Sequence, residues 1–227
     1  MLPPTRSSFF EGPSPKKEPT HVPSVRWPVL RRLDCPKVLE PPPSTFSSLL
    51  EQRRSVRTMQ PMPFRQVVNA VAFATQSRFM SDVNGVERYR RPSPSAGALH
   101  PLELILVDWR GTLRIFRSVP DEGKLDLLGL RRPQAANDFR ARCRELLPGA
   151  NGTALVLLGH PDRTRSCYDH FESLLWRDSG ALLQTLFLTF VAYGALFCPM
   201  GLLGHEVTFA LGMESDLVAA GTALVGH

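Results

Sequence analysis

The chain has 227 residues, 43% of them hydrophobic, and 27 Lys and Arg against 21 Asp and Glu give a formal net charge of +6. That length and apolar content build one well-buried core. The basic residues are scattered in twos and threes with no block interleaved with aromatics, which argues against a dedicated nucleic-acid surface and leaves anionic ligands open. Four cysteines (Cys35, Cys143, Cys167, Cys198) stand far apart, with no C-x-x-C pair and no secretory leader ahead of them. This is the pattern of reduced thiols in a cytoplasmic protein, not of a disulfide framework or a zinc site.

Residues 1–45 hold eleven of the 21 prolines, including Pro41, Pro42 and Pro43, and show neither helical nor strand periodicity. Such a stretch predicts an extended arm, ordered only where it lies on another surface, ahead of a folded domain over 46–227. A helix is expected from Ser44 onward, capped by Ser44 or Thr45, with Phe46, Leu49 and Leu50 as its apolar stripe and an Arg-rich segment at 52–57 as its end. Residues 64–74 (Val67, Val68, Ala70, Val71, Phe73) predict a second helix, and residues 81–94 read as a polar, basic loop. Strands are expected over 102–108 and 113–116, joined as a hairpin by Trp109, Arg110, Gly111 and Thr112.

A helix over 134–147 is stopped by Pro148 and Gly149, and a wholly apolar strand follows at 154–158. Residues 168–197 read as one long helix or a broken pair. Residues 207–211 and 216–220 bracket a helical turn at Gly212, and 222–225 form the last strand. The longest apolar stretch, 181–203, is interrupted by Gln184, Thr185, Thr189, Gly194, Pro199 and Gly201 and flanked by Arg177, Asp178, His205 and Glu206. These interruptions and flanks predict a core helix and not a membrane span.

The densest signal is Pro94-Ser95-Ala96-Gly97-Ala98-Leu99-His100-Pro101, running directly into the apolar strand at 102. A turn of small residues brings bare main chain against a flat ligand, since glycine and alanine leave nothing in the way. A tight loop packed closely for structural reasons is the plain alternative.

Four segments in order resemble the FMN-dependent nitroreductase superfamily, most closely its SagB-type branch, the azoline (thiazole/oxazole) dehydrogenases. Arg53-Arg54-Ser55-Val56-Arg57 is similar to R-x-S-x-[RK]. The run from Arg91 through Pro101 to Glu103 is close to R-P-x-P-S-A-G-A-L-[HY]-P-x-E. Gly180 to Gln184, with Gly194-Ala195-Leu196, resembles G-x-x-x-Q followed by A-x-G-L. Cys198-Pro199-Met200-Gly201 stands where the family's backbone meets the flavin N5. The resemblance covers residues 51–226.

The resemblance implies an α+β fold with a mixed, mostly antiparallel sheet flanked by helices, in an intertwined homodimer with FMN at the subunit interface. It implies a cytoplasmic FMN-dependent oxidoreductase acting on a small molecule or a modified peptide by hydride transfer at N5, with no nucleic-acid or membrane partner. Arg53, Arg54 and Ser55 would meet the phosphate, where guanidinium groups make paired, charge-assisted hydrogen bonds. Arg57 would face the pyrimidine edge that gathers charge on reduction. Pro94, Ser95, Ala96, Gly97 and Ala98, contributed by the partner subunit, would cover the ring. Gln184, Pro199, Met200 and Gly201 complete the expected contacts. His100 and Tyr168 are the candidates for chemistry, His100 as a proton donor and Tyr168, in an R-x-x-x-x-Y stretch with Arg163, at the substrate mouth. The chain ends at Gly226-His227, where typical relatives continue with basic residues that grip the phosphate, and no lysine-tyrosine pair of the azoline dehydrogenases is apparent. The alternative reading is a degenerate, non-catalytic member acting as a partner or scaffold subunit.

Overall fold

The structure, a computed structural model, describes residues 12–23 and 25–227. The part of the proline-rich arm at residues 1–11, and Ser24, lie outside the described residues. In chain order the elements are β1 (Ser14–Pro15), β2 (Val29–Asp34), α1 (Phe46–Gln52), α2 (Phe64–Ala74), β3 (Arg78–Val83), β4 (Val86–Arg90), a 3₁₀ turn (Ala96–Ala98), β5 (Leu102–Asp108), β6 (Arg114–Val119), β7 (Lys124–Leu128), α3 (Pro133–Leu146), β8 (Thr153–Gly159), α4 (Pro161–Arg165), β9 (Tyr168–Asp169), α5 (Glu172–Ala192), β10 (Leu196–Met200), α6 (His205–Leu211) and β11 (Val218–Gly226).

Seven strands form one sheet in the order β10-β11-β8-β5-β6-β7-β2. All six pairings in it are antiparallel, and the parallel contribution is the isolated bridge Met59↔Ala150. The sheet follows from the period-2 geometry of strands. Leu102, Leu104 and Leu106 of β5 face one layer with Leu155 and Leu157 of β8, while Ile105 and Val107 face the other with Ala154, Val156 and Leu158. Helices cover both faces. The first layer is closed by Val67, Val68 and Val71 of α2 and Leu182, Leu186 and Phe190 of α5. The second is closed by Phe139 of α3 and by Val207, Ala210 and Leu211 of α6. Because both faces are buried, β5 and β8 read as continuous apolar runs and not as alternating ones.

The arm lies on other surfaces of the same chain. Its proline-free stretch between Pro28 and Pro36 becomes β2, the outer strand beside β7, an edge position where flanking prolines cost no ladder bonds. Arg32 of β2 grips the fully buried Asp126 through Nε at 2.7 Å and Nη2 at 3.1 Å. Further along, Asn69 of α2 reads the backbone of Leu39 at both its N–H (2.8 Å) and its C=O (3.1 Å), and the Tyr193 hydroxyl donates to the same carbonyl.

Three expectations are corrected. Residues 81–94 are not a loop: β3 and β4 form a two-stranded hairpin about Asn84-Gly85, whose φ values of +54° and +76° are those of a tight hairpin turn. Residues 168–197 are neither one helix nor two, since α5 stops at Ala192 and β10 begins at Leu196. Residues 218–226 form a single strand, β11, that absorbs part of the expected helical bracket. No helix among the described residues is long and apolar enough to cross a membrane.

Past β11, His227 and Gln60 exchange both backbone hydrogen bonds (2.6 and 2.9 Å), which ties the segment after Arg57 to the sheet. A Cβ at Gly226 would stand 2.3 Å from the Gln60 carbonyl oxygen. Gly226→Ala is therefore expected to cost about 2 kcal/mol through overpacking. For a domain of this size that lowers the melting temperature by roughly 5 °C, measured by calorimetry.

Candidate functional site

The candidate site has two ends, both referenced to α5. At one end the small-residue loop leaves extended Ser95 and makes a single turn, closed by Ala98 N–H to Ser95 O (3.1 Å) and Leu99 N–H to Ala96 O (3.2 Å). Gly97 (φ +58°), Ala98 (+57°) and His100 (+46°) all occupy the left-handed region. Residues with a Cβ pay on the order of 1–2 kcal/mol each to sit there, so the surroundings must hold them.

Asp178, a buried acid on α5, accepts from the Ser95 hydroxyl and from Ala96 N–H (3.2 Å). Ser95 Oγ in turn accepts from His100 N–H at 2.9 Å. Arg88 of β4 donates from Nη1 to Gly97 O at 2.6 Å. Behind the loop, Leu99 is fully buried in a small cluster with Val86 and Cys167, flanked by Val22 of the arm and Tyr168.

Both candidates for chemistry belong to this bracing. His100 Nε2 lies 2.8 Å from the Tyr89 carbonyl, which only accepts, so Nε2 carries the proton. Burial, helped by the charge of Arg91, lowers the imidazole pKa to about 4 and keeps it neutral at pH 7. Tyr168 is half-buried, and a Cβ at Gly97 would stand 3.0 Å from its hydroxyl. Arg163, from the same stretch, reaches the Glu87 carbonyl at 3.3 Å and braces the hairpin.

At the other end residues 53–57 run beside β10, with Val56 N–H donating to Phe197 O at 3.4 Å. The Arg53 guanidinium sits over the Phe187 ring of α5, 5.3 Å from its centroid. Arg57 lies close enough to Cys198 for its charge to oppose the burial that pushes the thiol's pKa up. Arg54 and Val56 instead line a separate cleft of about 410 Å³ with Gln52, Gly194 and Leu196. Arg53, Arg54, Ser55 and Arg57 are all exposed, and none of these arginines forms an ion pair among the described residues. Pro199 and Gly201 are exposed beside them and Met200 is half-buried. A Cβ at Gly201 would meet nothing within 4 Å, so the space above this turn is open.

Gln184 is exposed on α5 between the two ends. Asp178 and Phe187 are nine residues apart on one helix, a rise of roughly 14 Å. The structure lays residues 53–57 along β10, with Arg53 over Phe187, Val56 bonded to Phe197 and Arg57 near Cys198. It holds residues 94–98 further along the same helix and directs Arg54 elsewhere. Asp178 and Arg88 were missed in the sequence. The signals were a lone acid set among Leu174, Leu175 and Leu182, and the Asn84-Gly85 pair that turns the hairpin bearing Arg88.

No family model matches the sequence, and no curated protein matches it. Solved structures do. A nitroreductase-type protein of Ralstonia eutropha JMP134 superposes with a TM-score of 0.64 at 18% identity, over 92% of this chain and 97% of that one. The E. coli microcin synthetase McbBCD complex, with truncated pro-MccB17 bound, matches with a TM-score of 0.56 at 17% identity, over 92% of this chain and 84% of that chain. A nitroreductase-type protein of Anabaena variabilis ATCC 29413 gives 0.56 at 17% identity over 78% of this chain, which spans 37% of that longer chain. At these identities the likeness establishes architecture, and the chain has the α+β nitroreductase fold.

The neutral His100 makes a pH prediction. Its folded pKa of about 4 lies below the ordinary 6.5. As pH falls the unfolded chain takes up this proton first, so stability present above pH 6.5 is lost between 6.5 and 4. His100→Gln keeps a donor for the Tyr89 carbonyl and removes the titration. Between pH 7 and pH 4 the parent protein should lose on the order of 3 kcal/mol more than the variant in denaturant unfolding. Equal losses would place the cost on other groups.

Proposed function

We propose that the chain is a cytoplasmic FMN-dependent oxidoreductase, working as a homodimer whose two composite sites each take one end of the candidate site from either protomer. The observation that carries this reading is the set of exposed arginines at residues 53–57, with no ion pair among the described residues, alongside β10, which ends at Met200 before the open Gly201. Elsewhere arginines with carboxylates in reach use them, as Arg91 does with Asp121 at 2.8 Å. Exposed guanidinium groups with no ion pair among the described residues, beside the open end of β10, fit a phosphate-bearing ligand.

Bound there, FMN would supply hydride transfer between a donor and an acceptor. Arg53 and Ser55 would hold the phosphate, while Arg57 would place a fixed cation at the pyrimidine edge, favouring the reduced state. Just past β10 the Gly201 amide would be the main-chain donor, Pro199 having none and Met200 being paired with Thr222. Pro94, Ser95, Ala96, Gly97 and Ala98 of the opposite protomer would exclude water from the ring with main chain and small side chains. With His100 neutral and bound to the Tyr89 carbonyl, the half-buried Tyr168 would be the candidate proton donor at the substrate mouth.

Two features support the dimer. On α5, Trp176 is 46% exposed, and on α1 Phe46 and Leu50 are 67% and 46% exposed. Helix α1 buries none of its residues within the chain. An apolar surface of this kind favours a partner over water. The substrate classes the reading admits are an azoline-bearing peptide, a small oxidised aromatic, or an intermediate of secondary metabolism.

Purified protein is expected to show flavin absorbance bands, or to gain them on titration with FMN, saturating at one flavin per chain. Each charge-assisted contact is worth about 1.5–3 kcal/mol. Arg53→Ala and Arg57→Ala should therefore each weaken FMN binding by roughly 10- to 100-fold. A colourless protein that refuses added FMN would favour the non-catalytic scaffold reading.

A further inference from the structure

The loop at 94–101 is tied to the rest of the molecule from two sides. The contacts from Arg88 and His100 fasten it to β4. That hairpin is only two-stranded and leaves Phe79 and Met80 about 60% exposed (60% and 58%), so it is a compliant support. The contacts from Asp178 fasten it to α5, a core helix of 21 residues.

Asp178 is an unusual residue for that position. It is 7% exposed, forms no ion pair among the described residues, and takes its two hydrogen bonds from the loop. A buried carboxylate without a counter-charge costs stability, and a leucine there would serve the core better. Polar and apolar groups, among them Ser93, His100, Glu103, Leu102 and Leu182, share with Asp178 a cavity of about 20 Å³, room for one water, which Arg91, paired with Asp121, also lines. Both Ser95 and Ala96 donate to one rigid side chain, and Ser95 passes the restraint on to His100 N–H at 2.9 Å. The left-handed residues Gly97 and Ala98 therefore sit between two points fixed by the same carboxylate.

We propose that Asp178 is a positioning residue: acting through Ser95 and Ala96, it sets the height and angle at which the bare main chain of residues 96–98 meets a flat ligand. Ser95, on this view, is a strut whose hydroxyl faces the helix and not the ligand. The ligand rests on the flavin reading above, whereas the clamp does not depend on it. Helix α5 also carries Phe187 beneath Arg53, so the clamp fixes the loop relative to the guanidinium end of its own protomer.

The test uses the full chain and the variants Asp178→Ala, Asp178→Asn, Ser95→Ala and Asp178→Ala with Ser95→Ala. Backbone hydrogen exchange is followed without added ligand, and FMN affinity and melting temperature are then measured. Exchange at the His100 amide should rise at least tenfold in Ser95→Ala, and at both the Ala96 and His100 amides in Asp178→Ala, with β5 and β8 unchanged. The double variant should be no worse than Asp178→Ala alone, because both remove one clamp. FMN binding should weaken at least tenfold in Ser95→Ala while its melting temperature stays near the parent's, a separation that a purely structural role would not give. Asp178→Asn, which cannot accept at both oxygens, should fall between. Should Asp178→Ala not fold, Ser95→Ala and Asp178→Asn decide the matter. Unchanged exchange over 94–101, or faster exchange with unaltered FMN affinity, overturns the proposal. Faster exchange in variants of a parent that itself binds no FMN leaves the clamp standing and removes the flavin reading.

Discussion

The packing of α5 across the central strands is the constraint from which the rest of the site follows. Leu182, Leu186, Phe187 and Phe190 are buried against the face made by β5, β8 and β11, each burial worth about 1.5–3 kcal/mol. The helix comes close because of what the sheet omits: a Cβ at Gly159 would stand 2.7 Å from Leu175 Cδ1. Ser179 seals the approach by donating to Ala220 O at 2.6 Å. With its axis fixed, the helix becomes a ruler carrying Asp178 toward one end and Phe187 toward the other. Loop and arginines are each placed by contact with that ruler, Ser95 by Asp178 83 residues further on and Arg53 by Phe187 near the helix's far end.

Around this frame the chain spends its charges in two ways. On the sheet, Asp126 is fully buried and shared by Arg32 and Arg117, Arg117 also pairs with Glu103 and stacks on Trp27 at 4.5 Å, and the network binds arm, sheet and the strand after the loop together. Such buried pairs are costly to break from one side. At residues 53–57 the same residue type forms no ion pair among the described residues. Arg31, Arg65, Arg78 and Arg144 also stand exposed without an ion pair among the described residues, so what marks residues 53–57 is the clustering of three arginines alongside β10. It also explains why net charge alone says little: of a formal +6, the part that matters for a ligand is local.

Much of the architecture was legible because local signals and tertiary packing agree. Helix α2 matches the apolar spacing of Val67, Val68 and Val71, and α1 starts where Thr45 accepts from Ser48 N–H at 3.2 Å. β5 and β8 were apparent as apolar runs. What escaped had a physical cause in each case. The hairpin of β3 and β4 carries Arg78, Arg88 and Arg90 and buries little on either face of β3, so no alternation marked a strand pair that Asn84-Gly85 alone announced. β10 follows α5 with no change in hydrophobicity, and only Gly194 at φ +70° marks the break. β2 was hidden in proline-rich surroundings, its strand character arising from pairing with β7 and not from any pattern of its own. At the site, the small-residue loop and the arginines could be picked out as motifs. The carboxylate that holds the loop stands out only as an acid among Leu174, Leu175 and Leu182, a pattern that does not say what it binds, and it acquires its role only across the fold.

The central claim is that a complete site needs one end from each of two chains, and mixing variants tests it directly. A loop variant with a bulky residue at Gly97 and a variant carrying Arg53→Ala with Arg57→Ala should each bind FMN poorly. After subunit exchange in equal amounts, half the dimers are mixed, and each mixed dimer holds one undamaged site, so about a quarter of all sites should recover parental affinity. Recovery near that fraction is the result this account predicts. No recovery in a mixture shown by mass to contain the mixed dimer, or full affinity in a protein that stays monomeric, would contradict it.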